Sequence, residues 1–365
     1  MQLQIFVPHC PMAMRRLLLL LPVFLVLAGQ MEHSGEARPQ VPALMVFGDS
    51  LVDVGNNDYI LTVAKANAPP YGRDFKDHVA TGRFSNGKLI SDIIGEKVGF
   101  NGSPPAYLDP QASGKNLLLG ANFACAGAGY YDPTASIFNV NSLSQQLENF
   151  KDYTSKLEVE AGSRQAQSII SNSLYIISAG SGDFANYYIN PLLFTTRTAD
   201  QFSDLLIGIF NNIVTQLYGM GARRIGVFSL PPLGCFPLAI TVLGLGSDKC
   251  VPRLNNDSER YNMKFNAAVE SLSKQHSDLK IVILDINKPL YSLSTSPEAQ
   301  GLSEARRACC GTGLLELSVF LCNTKSIGTC SNATTYVFWD SVHPSEATNE
   351  VVVNSFTNGI KQLVT

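Results

Sequence analysis

Four short stretches of near-continuous apolar residues punctuate the chain: Ala43 to Phe47, Leu174 to Ser178, Ile225 to Leu230 and Lys280 to Ile286. Each is rich in Ile, Val or Leu, and the first runs into a turn at Gly48, the pattern of a strand buried on both faces. Between the runs the apolar period changes. From Phe202 it recurs at Leu205, Leu206, Ile209, Phe210, Ile213 and Leu217, then at Leu254, Tyr261, Phe265, Val269 and Leu272, which draws one helix face each time. Buried strands alternating with amphipathic helices predict an α/β fold whose parallel sheet is covered on both sides. Ligands of such sheets bind beyond the carboxyl ends of the strands, so chemistry is expected just after these runs. Pro104, Pro105 and Pro110 mark a loop; with no internal repeat or low-complexity linker, a single domain over 40–365 is expected.

The first residues follow another logic. Arg15 and Arg16 precede an apolar run from Leu17 to Ala28 that ends in small residues, as in a secretory signal peptide over 1–29. The run falls short of the about 20 apolar residues of a spanning helix. A secreted mature chain beginning between Gln30 and Pro39, without a stable membrane span, is therefore expected. Cys10 leaves with the leader. Of the other seven cysteines, Cys235, Cys250, Cys309, Cys310, Cys322 and Cys330 form an even set in the C-terminal half. In an exported chain that predicts three disulfides, and spacing favours Cys235 with Cys250. Zinc is the competing use, but no C-x-x-C pair supports it and no metal site is expected. Cys125, among Ala and Gly, reads as a small buried thiol. Sequons at Asn101, Asn256 and Asn332 are candidate glycosylation sites.

Composition narrows the function classes. With 45% hydrophobic and 16% charged residues the chain can build a full core, which excludes disorder as its main state. A net charge of −3 leaves no basic excess for nucleic acid. The segment Gly82 to Lys88 imitates a phosphate-binding loop, but Leu89 stands where Ser or Thr would hold magnesium. The G-x-S-x-G elbow and the H-E-x-x-H zinc motif are absent, and Gly127 and Gly129 make no dinucleotide fingerprint.

A nucleophile and its base remain. Ser50 follows the first strand in Phe47-Gly48-Asp49-Ser50-Leu51, where Gly48 relieves crowding and exposes the hydroxyl. In Trp339-Asp340-Ser341-Val342-His343-Pro344, a tight turn brings Asp340 to the imidazole of His343. Such an acid fixes the tautomer and stabilises the imidazolium formed in catalysis, although a local capping pair has the same spacing. His276, in a polar helix end, reads as solvated, and His78 lies in a charged loop. A base must be unprotonated, so activity is expected to rise between about pH 5 and pH 8.

Gly48-Asp49-Ser50-Leu51 together with Asp340-x-x-His343 resembles the GDSL esterase/lipase family of the SGNH hydrolase superfamily. The plant branch is suggested by Phe47 to Asn57, Gly82 to Gly87, Gly120 to Ala124 and Ser229 to Cys235, in order along nearly the whole mature chain. The resemblance implies a three-layer α/β/α sandwich with a mostly parallel sheet of flavodoxin-like kind. It implies a Ser50 nucleophile whose own N–H serves an oxyanion hole, a His343 base and an Asp340 orienting acid. It further implies a backbone donor at Gly129, with Gly127 as the alternative register. The third family block departs from its pattern: Gly182 stands where the family has an Asn whose side chain donates to the oxyanion. One such donor is worth about 10²–10³ in rate, and Ser181, Asn186 or a water are candidate substitutes.

The function so implied is hydrolysis of carboxylic esters through an acyl-enzyme by a monomeric chain, with no metal or organic cofactor. Lipid, cutin-type and acetylated cell-wall esters are the substrate classes, and the cell wall or apoplast the location. The alternatives are an acyltransferase of the same chemistry and a binding protein that lost catalysis, which Gly182 motivates.

Overall fold

All four apolar runs form strands because their residues are buried on both sides, and a fifth strand joins them. β1 (Leu44–Gly48), β2 (Gly120–Asn122), β3 (Leu174–Ser178), β4 (Arg224–Phe228) and β5 (Lys280–Leu284) make one sheet of order β2-β1-β3-β4-β5. Every pairing in it is parallel. β2 escapes the hydrophobic pattern because it is three residues long and ends on a polar Asn. β4 and β5 end two residues before their apolar runs do. There, side chains replace the ladder: Asn262 bonds both backbone groups of Leu230, and the Ile286 N–H donates to Ser229. This computed structural model describes residues 39–190, 196–311, 322–326 and 328–365, so the expected leader lies outside it.

Helices cover both faces, giving the three-layer α/β/α sandwich. The helices, in chain order, are α1 (Ile90–Lys97), α2 (Asp132–Ser136), α3 (Leu143–Ala161), α4 (Ser163–Asn172), α5 (Ser181–Ile189) and α6 (Ala199–Gly219). They continue with α7 (Pro237–Leu243), α8 (Pro252–Gln275), α9 (Asn287–Thr295), α10 (Glu346–Ser355) and α11 (Thr357–Val364). α6 packs against α3 and α8 on one face; α10 meets α1, and α11 lies on β4 and β5, on the other. The predicted apolar stripes explain this. Phe210, Ile213 and Leu217 of α6, and Tyr261, Phe265 and Leu272 of α8, are all buried. α6 starts at a capping box in which Thr198 accepts from the Gln201 N–H and the Gln201 side chain reaches back.

A second, two-stranded parallel sheet pairs β6 (Glu304–Ala308) with β7 (Tyr336–Phe338). Three disulfides join Cys235 to Cys250, Cys309 to Cys330 and Cys310 to Cys322, and Cys125 is a buried free thiol. No helix among the described residues is long and apolar enough to cross a membrane. Asn101, Asn256 and Asn332 are all exposed.

Candidate active site

The sheet order reverses between β1 and β3, so the segments leaving their carboxyl ends diverge and open a crevice. Ser50 stands there, two residues past the end of β1. Gly48 has φ +137°, and a Cβ at that position would collide with the Ser178 backbone, so glycine alone fits between β1 and β3. Gln146 of α3, fully buried, grips both backbone groups of Gly48: its Oε1 accepts from the N–H (2.8 Å) and its Nε2 donates to the carbonyl (2.9 Å). The turn carrying Ser50 is thereby fixed from a helix that sequence reading does not connect to it.

The other half of the site comes from the chain end. Beyond β7, the Trp339 N–H donates to the His343 carbonyl (2.8 Å) and closes the tight turn expected from the spacing. Asp340, fully buried, accepts from the His343 N–H (2.8 Å) and lies 2.7 Å from Nδ1 of the same ring. On the opposite side, His343 Nε2 is 2.7 Å from Ser50 Oγ. The structure thus brings the three side chains into one hydrogen-bonded line. Tyr71 extends it, donating its hydroxyl to Asp340 Oδ2 at 2.9 Å. Burial, followed by the charge of Asp340, pushes that phenol well above its ordinary value, so it stays an O–H donor. The imitation phosphate loop has a supporting place here. Phe84 packs its ring 4.9 Å from that of His343, Asn86 caps the Glu346 N–H of α10, and Arg83 pairs with Asp92 at 2.8 Å.

A cavity opens in front of Ser50, lined also by Gly127, Ala128, Ser181, Gly182, Phe236, Val342 and His343. The register of the second block follows from it: Gly127, with φ +87°, faces the cavity, whereas Gly129 does not line it. Gly129 is instead pressed against Asp183, whose carboxylate accepts from the Tyr130 and Tyr131 N–H groups and the Thr134 hydroxyl. A side chain at 129 would occupy that carboxylate's place. The favoured Gly129 donor is therefore corrected to Gly127. Neither the Ser50 nor the Gly127 N–H bonds another group among the described residues. Gly182 lies in the first turn of α5, whose N–H groups have no earlier carbonyl to reach.

Gly182 itself has a physical reason. A Cβ there would sit 2.9 Å from the Ala128 carbonyl, so the approach of the Gly127 loop leaves no room for a side chain without movement. Asn186 is no substitute donor, because its Nδ2 is spent on the Gly182 carbonyl (2.9 Å) and its Oδ1 accepts from Asn190. Ser181 lines the cavity and is the one named side-chain substitute that faces it.

Three fully buried carboxyls surround these segments. Desolvation dominates each, raising Asp49 to about 6 and Asp53 and Asp183 to about 7 against the hydrogen bonds that they accept. Asp53 ties the block to its neighbour, accepting from the Gly55, Asn56 and Ala126 N–H groups. Asn56 donates to the Asn122 and Ala124 carbonyls, so much of the Phe47–Asn57 motif is a polar clamp between two loops. The remaining histidines stand apart: His78 contacts the Arg73 carbonyl, and His276 packs on Tyr218.

Residues 44–356 match the family described as GDSL-like Lipase/Acylhydrolase. The GDSL esterase/lipase APG of Arabidopsis thaliana is 56% identical over 316 residues, covering 86% of this chain and 90% of that protein. Another Arabidopsis thaliana GDSL esterase/lipase is 55% identical over 330 residues, 89% and 91% of the two chains. Among solved structures, Axe2, an acetylxylan esterase of Geobacillus stearothermophilus, aligns at 13% identity and a TM-score of 0.38, over 87% of this chain and 94% of that one. The likeness is too distant to add to the fold read from the sheet itself.

Proposed function

This chain belongs to the GDSL-like lipase/acylhydrolase family, and on that premise we propose that it is a secreted serine hydrolase of carboxylic esters, with Ser50, His343 and Asp340 as its triad. The observation that carries the reading is the 2.7 Å approach of Ser50 Oγ to His343 Nε2, between residues 293 positions apart. Ser50 Oγ attacks the ester carbonyl carbon and its proton passes to Nε2. Asp340 holds Nδ1–H and stabilises the imidazolium. The new oxyanion is met by the backbone N–H groups of Ser50, Gly127 and Gly182, with the Ser181 hydroxyl beside them. The tetrahedral intermediate expels the alcohol, which takes the proton from His343, and an acyl-enzyme remains. Water, deprotonated by the same imidazole, then releases the acid and restores Ser50.

Export is supported by the leader-like first residues, the three disulfides and the exposed sequons. The test is labelling by a fluorophosphonate probe, followed by turnover of p-nitrophenyl esters. The native chain is expected to label at Ser50, and Ser50→Ala is not. Asp340→Asn is expected to lose about 10⁴-fold in kcat. A native chain that neither labels nor turns over ester is the binding protein instead. One that labels but releases acyl groups only to an added alcohol is the transferase.

A further inference from the structure

We propose that a second cavity, between α5 and α7, is the seat of an aliphatic acyl chain well beyond acetyl in length, an inference that rests on the ester hydrolase reading for its chemistry. The cavity adjoins the first: Ala185, Phe236 and Val342 line both. Val342 belongs to the turn between Asp340 and His343, and Ala185 lies one helical turn beyond Ser181 and Gly182. A chain attached to a carbonyl in front of Ser50 therefore has only these three side chains to pass.

The walls say what can sit there. α5 contributes Ala185 and Ile189, α7 contributes Ala239 and Val242, and Leu254 of α8 closes the floor. Apart from the Tyr188 hydroxyl, every lining side chain is a hydrocarbon, and that hydroxyl donates to Asp257. A sugar or glycerol placed against such walls would give up water and gain no hydrogen bond, which is costly. An alkyl chain gives up nothing, and each buried methylene gains about fourfold in affinity. Ile189 and Val242 are half exposed, so the slot opens to solvent rather than being a sealed void of the core. The acyl side is favoured over the alcohol side because the slot follows α5, whose first turn faces the oxyanion and hence the carbonyl.

The test separates the slot from the catalysis. In the Ser50→Ala chain, octanamide is expected to bind at least tenfold more tightly than acetamide by calorimetry, and Ala239→Phe, which fills the slot, is expected to abolish that difference. With native Ser50, the ratio of kcat/KM for p-nitrophenyl octanoate over acetate is expected to fall at least tenfold in Ala239→Phe. It is also expected to fall in Val242→Ser, a rim change that leaves packing intact. Equal binding of the two amides, or ratios unchanged in both variants, would overturn the slot, as would chain-length dependence confined to the alcohol in alkyl acetates. Should the native chain hydrolyse neither ester while still selecting octanamide, the slot stands and the hydrolase reading fails.

Discussion

One oxygen of Asp49 accepts from the Leu51 N–H and the Ser178 hydroxyl, while the other is buried without a partner among the described residues. Its unfolded value is 3.8 and its folded value about 6, so the native state holds a proton that the unfolded chain has released. The stability this carboxyl contributes is full below about pH 4 and is lost as pH rises through about 6. Asn in its place needs no ionisation and can turn its amide toward the unpartnered side. Asp49→Asn is therefore expected to flatten the decline in denaturation midpoint between pH 4 and 6.5, a difference of at most about 3 kcal/mol. A decline as steep as in the native chain would show that Asp49 does not cause it. Tyr71 acts at the same scale but on catalysis. Tyr71→Phe removes one donor from Asp340 and is expected to lower kcat about tenfold with little change in KM, and to displace the pH–rate profile. An unaltered profile with a lower melting temperature would make Tyr71 a packing residue only.

Helix α3 reaches the site through one side chain. Gln146→Ala strands both backbone groups of Gly48 in the core, and is expected to cost about 1–3 kcal/mol and to lower kcat by loosening the Ser50 turn. Urea denaturation and p-nitrophenyl acetate turnover measure the two effects. Gln146 also illustrates what sequence does and does not reveal. β1, β3, β4 and β5 are legible because burial on both faces demands an unbroken apolar run, and α6 and α8 because burial on one face demands a stripe. β2 carries too few residues to show a period, and β6 is half exposed, with Arg306 and Arg307 in its middle. Ser50, Asp340 and His343 are legible because their local motifs are tight. Gln146 and Tyr71 act across separations of 98 and 269 residues, which no local pattern records. The choice between Gly127 and Gly129 depends on which one Asp183 crowds, and only the folded chain brings Asp183 there.

For the whole molecule, the covalent links converge on the acid. The Cys309 N–H donates to the Phe338 carbonyl and the Cys310 N–H to that of Trp339, immediately before Asp340, while each cysteine is bonded onward to Cys330 or Cys322. Arg73 stacks on Trp339 and donates to the Cys330 carbonyl, packing the same corner from the N-terminal half. Opening these two disulfides is expected to cost about 2–4 kcal/mol each. It is also expected to reduce turnover while far-UV circular dichroism still reports the sandwich. Full turnover after reduction, with thiol titration proving both bonds open, would show that the corner holds without them. The long reach between hydroxyl and imidazole has a further consequence in time. A ribosome completes β1 and its serine early and reaches the histidine almost at the finish, with the cysteines that clamp the acid only shortly before. A growing chain therefore carries a hydroxyl with no imidazole to activate it, and nearby esters are safe from it until the last helices can fold.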